Sequence, residues 1–179
     1  LTIGDRAGWM KRSGAAARAM LRQFALMLGR SLPQIRDPRS TLGREVALAM
    51  AYLQVQKIRM GERLDFATHV PAALVDADLP PMMLSTLVEN AIKHGLEPKT
   101  GGGTIWILAR AHENNVAVTI ADDGRGFSAE GAGTGIGLRN VRERLRLAYG
   151  NNANFHIVAN FPSGVAATIT VPTSFLQGE

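Results

Sequence analysis

At 179 residues the chain is long enough for one domain with its own core plus an extension, and it holds no cysteine. The lack of cysteine excludes a disulfide scaffold, a thiolate zinc site and a cysteine nucleophile; nor does any apolar run approach the ~20 residues of a membrane-spanning helix. The formal charge of +5 is unevenly spread: residues 1–63 carry 12 Lys/Arg against 4 Asp/Glu, and residues 64–179 carry 8 against 11.

The first predicted element is an amphipathic helix over residues 15–31, where Ala17, Met20, Leu21, Phe24, Met27 and Leu28 recur at three- and four-residue steps. Its basic residues are dispersed among Ala, Leu and Met with no aromatic interleaving, so they form a solvated helical face and no nucleic-acid partner is expected. Pro33 and Pro38 punctuate a short connection. A second helix is predicted from Leu42 to Met60, with Gly61 placed to stop it. Its apolar residues run nearly all the way round, so it should have neighbours on more than one side. Two helices joined by a short loop form an antiparallel hairpin.

Beyond Gly61 the pattern changes. A strand is expected over residues 63–70, then a helix opened by Pro80 and Pro81 and closed by Gly95. Strands at 104–111 and 116–121 flank the turn Asn114-Asn115 as a hairpin. A Gly-rich stretch at 124–137 leads into a helix ending near Tyr149. Strands at 155–160 and 165–171 follow, joined by Pro162-Ser163-Gly164. This order predicts a sheet covered by helices on one face.

Three segments carry chemistry. In LVENAIKHG, residues 87–95, the apolar stripe of Leu84, Leu87, Val88, Ala91 and Ile92 leaves Thr86, Glu89, Asn90 and Lys93 on the other side. Asn disfavours a helix interior, yet a carboxamide oxygen can ligate a hard cation and Lys can meet phosphate; a solvated polar face would carry the same residues. In ADDGRGF, residues 121–127, Asp122 precedes Gly124 and Gly126 directly after a strand. An acceptor-only carboxylate suits an amino donor, and the glycines admit a flat ligand; a plain turn is the alternative. In GAGTGIGLR, residues 131–139, glycines before a helix present free N–H groups and the positive end of the dipole to an anion. The alternative there is a flexible linker, and neither GxxxxGK[ST] nor GxGxxG spacing is present.

Taken in this order and spacing, the three segments resemble the asparagine and glycine boxes of the GHKL ATP-binding superfamily, which covers DNA gyrase, MutL and histidine kinases. The resemblance spans about residues 62–172. It implies the Bergerat fold, a two-layer α/β sandwich with a mixed sheet and helices on one face, here preceded by a helical hairpin. It further implies ATP and magnesium as ligands, with Asn90 the magnesium ligand, Lys93 a phosphate contact and Asp122 the adenine-reading carboxylate. Gly124 and Gly126 would shape the adenine pocket, while Gly133, Thr134, Gly135, Ile136, Gly137 and Leu138 would form the lid and phosphate contacts.

Hydrolysing members carry a Glu one turn before the box Asn. Thr86 stands there instead, and Glu89 is turned about 100° away around the helix, so no residue is assigned a catalytic role and slow hydrolysis is expected. The helical front end, the Pro80-Pro81 pair and LVENAIKHG together resemble the LytS/YehU-type sensor histidine kinases. That resemblance implies a dimerisation segment over residues 1–61, an ATP-binding catalytic domain over 62–179, homodimers through the N-terminal helices, and a response-regulator partner. It also implies a cytoplasmic chain whose full-length protein is anchored at the inner face of the bacterial plasma membrane through upstream segments. None of His69, His94, His112 and His156 falls on the first predicted helix, so the family's phosphoacceptor is expected outside this sequence. An anti-sigma-type serine kinase and a non-catalytic nucleotide switch are the alternative readings.

Overall fold

A computed structural model describes residues 39–126 and 136–173. The helix expected at 15–31, and with it one half of the expected hairpin, lies outside the described residues. The described elements are β1 (Ser40–Thr41), α1 (Leu42–Met60), β2 (Leu64–His69), β3 (Asp78–Leu79), α2 (Met83–Asn90), β4 (Gly103–His112), β5 (Asn115–Asp122), α3 (Ile136–Tyr149), β6 (Asn154–Ala159) and β7 (Val165–Pro172). A π-helical segment, Ala91–Leu96, continues α2.

Five strands form one sheet in the order β2-β4-β5-β7-β6. The β2–β4 pair is parallel and the other three are antiparallel, so the sheet is mixed as expected. The β4–β5 hairpin follows from period-two alternation: Ile105, Ile107 and Ala109 are buried, whereas Leu108 and Arg110 are exposed. Its turn falls one residue earlier than expected. His112 pairs with Asn115, leaving Glu113 and Asn114 as the connection, with Glu113 in the left-handed region at φ 53.

The buried sheet face meets all three helices in one core. Leu53 of α1, Leu84, Leu87 and Val88 of α2, and Val141 and Leu145 of α3 pack with Ile105, Ile107, Ile120 and Ile169. Each such side chain contributes roughly 1.5–3 kcal/mol on burial. Among the described residues no helix covers the opposite face, where Thr119 and Thr168 share a hydrogen bond at 2.8 Å. The expected two-layer sandwich is therefore what forms.

The ends of α1 lie where the sequence pattern puts them. The Thr41 hydroxyl caps it by accepting from the Arg44 N–H, and Gly61 closes it at φ 61. The short β1–β3 ribbon pairs two-residue strands too brief for an alternation pattern, so no sequence signal marks it. It ties the start of α1 to the segment before α2, because the N–H groups of Leu42 and Gly43 donate to the carbonyls of Ala77 and Val75, both at 2.8 Å. Helix termini carry such unsatisfied donors, and here the backbone itself satisfies them. Among the described residues, Leu42, Ala49 and Leu53 of α1 belong to the same cluster as the sheet. At the far side of the core, the Tyr149 hydroxyl donates to the Asp78 carbonyl at 3.0 Å. Burial, and then the Asp78 charge, push that phenol up to about 12.

Candidate functional site

The α2 helix buries Met83, Leu84, Leu87 and Val88 and sends Asn90 to its half-buried side. From Ala91 the coil widens. The Glu97 N–H donates to the Ile92 carbonyl at 2.9 Å, an i to i−5 bond. Such single π turns inside α-helices often mark functional positions. Lys93 and His94 are exposed on this segment, while Ala91, Ile92, Gly95 and Leu96 are buried.

The π turn lays Gly95 against the end of β5. A Cβ on Gly95 would stand 2.7 Å from Asp122 Oδ1, and one on Gly124 would stand 2.4 Å from the Gly95 carbonyl carbon. Both glycines are required by close approach of backbone to backbone or carboxylate. The Gly95 carbonyl also accepts the Arg125 N–H at 2.9 Å.

Asp122 lies at the centre of this corner and is only 3% exposed. Its Oδ1 accepts the Gly124 N–H at 2.8 Å, an Asx turn that bends the chain out of the strand. Burial raises its pKa, against the lowering effect of the Gly124 and Val165 N–H groups; the neighbouring Asp123 charge adds to the rise. An ionised carboxylate has acceptor sites beyond those two. Asp123 serves the loop differently, since its carboxylate accepts the Thr104 N–H at 2.7 Å and ties the loop to the start of β4.

Residues without a motif of their own support the same loop. Asn160 donates its amide to the Asp122 carbonyl at 2.9 Å, and Ser163 donates its hydroxyl to the Asp123 carbonyl at 3.1 Å. Gly164, at φ 101, lies so close that a Cβ would stand 1.9 Å from the Asp122 carbonyl oxygen. The Lys99 ammonium also donates to the Asp123 carbonyl. The Pro162-Ser163-Gly164 stretch reads as a connector in sequence, and its partners about 40 residues upstream carry no local pattern linking them to it. Gly95 reads only as a helix stop, although it stands inside the first motif.

A second corner forms around Asn90. Its amide nitrogen donates to the Thr86 carbonyl at 2.9 Å, a bond that does not engage the carboxamide oxygen. A Cβ on Gly137, at the start of α3, would meet the Thr86 methyl at 3.1 Å and the Asn90 amide nitrogen at 3.8 Å. Gly137, near the end of the third motif, is therefore beside the first. Ile136 is 70% exposed, and Leu138 packs on the core. Gly126 adopts φ 80, and a Cβ there would come no nearer than 3.6 Å to the Gly164 backbone, so this glycine serves the dihedral and not the space. Gly133, Thr134 and Gly135 lie outside the described residues. Glu89 is exposed and its charge acts on Tyr52 of α1, away from this corner.

A family model described as "Histidine kinase-, DNA gyrase B-, and HSP90-like ATPase" matches residues 75–174. The chain belongs to this ATPase family. The match takes in all three motifs of this GHKL chain. Among curated proteins, it is 30% identical over 155 residues to the sensor protein LytS of Oceanobacillus iheyensis, covering 79% of this chain and 26% of that protein. It is 31% identical over 157 residues to the sensor histidine kinase YesM of Bacillus subtilis, covering 86% and 27%. The chain thus spans about a quarter of the length of the curated relatives it matches. Among solved structures, the histidine kinase domain of a blue-light activated kinase from Erythrobacter litoralis aligns with a TM-score of 0.58 at 18% identity, covering 89% of this chain and 75% of that one. At that identity the likeness supports the fold.

Proposed function

We propose that this chain is the ATP-binding catalytic part of a two-component sensor histidine kinase, which binds magnesium ATP and offers the γ-phosphoryl to a histidine, from which it passes to a response regulator. The observation that carries this reading is the convergence of Gly95, Asp122 and Gly124 into one buried corner, with Asn90 and Gly137 in a second corner along the same helix. In this reading the Asp122 carboxylate accepts the adenine amino group, and Gly124 and Gly126 keep side chains out of the ring's path. Lys93 meets phosphate from the exposed side, and Gly133, Thr134, Gly135, Ile136, Gly137 and Leu138 close over the phosphates.

The donor set fits a magnesium ion held jointly with nucleotide. Asn90 presents a neutral oxygen whose orientation is set by the hydrogen bond that its amide nitrogen donates to the Thr86 carbonyl. No cluster of three His, Cys, Asp or Glu that could hold a metal ion occurs among the described residues. Magnesium keeps waters and takes few protein ligands beside phosphate oxygens. When bound it would neutralise charge on the transferring group. The chain's own part is positioning: Asp122 fixes the base, Asn90 and Lys93 fix the phosphate end, and the reacting atoms are aligned without a protein base. With Thr86 where a hydrolytic base would stand, attack by water lacks the ~10²–10⁴-fold that positioned proton transfer supplies.

The remaining parts of the reading concern the whole protein. It acts as a homodimer through the residues 1–61, on the cytoplasmic side of the membrane, with membrane attachment supplied from outside this sequence. The sequences of the LytS and YesM relatives support the kinase reading over the anti-sigma and switch alternatives.

Incubation with γ-labelled ATP tests this. The chain alone is expected to bind ATP without labelling itself or turning it over appreciably. With a histidine-bearing dimerisation segment added, label that is acid-labile and base-stable is expected on that histidine. Acid-stable label on a partner's Ser or Thr would contradict the reading in favour of a serine kinase. Acid-labile label on His69, His94, His112 or His156 would show the acceptor to lie within this chain.

A further inference from the structure

Glu45 lies on α1, yet it is 0% exposed. Charged side chains are almost never that buried without partners. Its two carboxylate oxygens accept the backbone N–H groups of Met82 at 3.0 Å and Leu84 at 3.2 Å. Those donors belong to the first turn of α2, the helix that carries Asn90. Met82, at the N-cap position, makes no side-chain cap bond and holds a left-handed φ of 65. An N-terminal turn without a cap leaves its N–H groups wanting acceptors. The cap comes instead from another helix, 37 residues upstream.

From this cap a hydrogen-bonded ladder runs down one side of α2 at four-residue steps. The Met82 N–H donates to Glu45, the Thr86 hydroxyl donates to the Met82 carbonyl at 2.7 Å, and the Asn90 amide donates to the Thr86 carbonyl at 2.9 Å. The last rung engages the Asn90 amide nitrogen and not its carboxamide oxygen. Hydrogen bonding of this back-bonded kind bends a helix locally, and partners one step behind a metal ligand orient it.

We propose that Glu45 is a positioning residue for the nucleotide site: by holding the first turn of α2 it sets, through Met82, Thr86 and Asn90, the direction of the carboxamide oxygen offered to magnesium ATP. The proposal rests on the reading of Asn90 as the metal ligand. It also makes α1 part of the site's control. A shift of α1 relative to α2 would alter the cap first and the oxygen's direction last.

The test compares Glu45→Gln, Thr86→Val and Asn90→Ala by calorimetric titration with ATP plus magnesium and with ADP free of metal, alongside the melting temperature of each. Gln keeps the volume and one acceptor oxygen; Val keeps the shape of Thr and removes only the hydroxyl. All three should weaken magnesium ATP binding by about tenfold and leave metal-free ADP binding unchanged. A purely structural cap would lower the melting temperature and leave the metal-dependent part of binding intact. Should Glu45→Gln fail to fold, Thr86→Val breaks the ladder at a half-buried hydroxyl and carries the test. The inference is overturned if Asn90→Ala loses the metal-dependent part while Thr86→Val, and Glu45→Gln where folded, keep it. If Asn90→Ala itself keeps that part, the metal-ligand reading fails, and the ladder's purpose with it.

Discussion

The two corners of the site are built on different terms. Around Asp122, backbone meets backbone: Gly95, Gly124 and Gly164 all lie where a Cβ would fall under 3 Å from a neighbouring atom, and Asn160 and Ser163 hold the loop carbonyls. Around Asn90, the neighbours are ends of side chains, and Lys93 and Ile136 face solvent. A flat, rigid ring is best recognised by a preformed slot, whose ordering costs are met on folding. Phosphates and a hydrated ion are better met by adjustable charges and a single oriented oxygen. In the proposed reading the base is recognised at one corner and the phosphates are handled at the other, and a π turn spans the distance between them.

Paired glycine substitutions break this comparison most visibly. Gly124→Ala would drive a methyl into the Gly95 backbone, which has no rotamer to yield. It should cost about 3 kcal/mol of stability, at the upper end of overpacking effects, and abolish nucleotide binding. Gly137→Ala meets the Thr86 methyl at 3.1 Å and the Asn90 amide nitrogen at 3.8 Å, both side-chain contacts that can give, and Ala restores ~1 kcal/mol of helix propensity. Its stability should be nearly unchanged. Denaturant titration of both variants measures the contrast; equal losses would mean that the two corners are equally tight.

The smallest effect is expected at the phosphate end. Lys93→Ala removes an exposed point charge, and exposed pairs contribute roughly 0.2–1 kcal/mol. ATP affinity should fall by no more than about fivefold, with the loss shrinking as salt is raised. A salt-independent loss would show Lys93 to be a desolvated contact, tighter than its exposure implies.

Much of this is legible in the sequence because its signals are local. Helix α1, the β4–β5 alternation and the order of the three motifs all depend on residues near one another in sequence. The Asn90 position stands out because an Asn inside a helix is unusual in place, and Asp122 because two alternating glycines follow it directly after a strand. What stays hidden is set by distant contacts. The π turn brings Gly95 against Gly124, 29 positions on, a contact that no local pattern announces. The Glu45 cap lies 37 residues from its donors, in a helix whose apolar residues give no reason to expect a buried acid. The role of α1 in the shared core is obscured for the same reason: the pattern of residues 42–60 asks for neighbours on more than one side without naming them, and Leu42, Ala49 and Leu53 join the cluster of the sheet layer.

The central claim is that Asp122, in its ionised form, recognises the base. Its raised pKa has two opposite consequences. The stability this carboxyl contributes is fully present below its ordinary value of 3.8 and is lost as pH rises through the raised folded-state value. Nucleotide affinity should move the other way, weakening as pH falls through that same value. Calorimetric titration of ADP into wild type and Asp122→Asn across this range measures it directly. The account predicts that Asn weakens binding about 10- to 100-fold at neutral pH, the loss expected for a hydrogen bond to a charged acceptor, and flattens the pH dependence. Undiminished affinity in Asp122→Asn would contradict it.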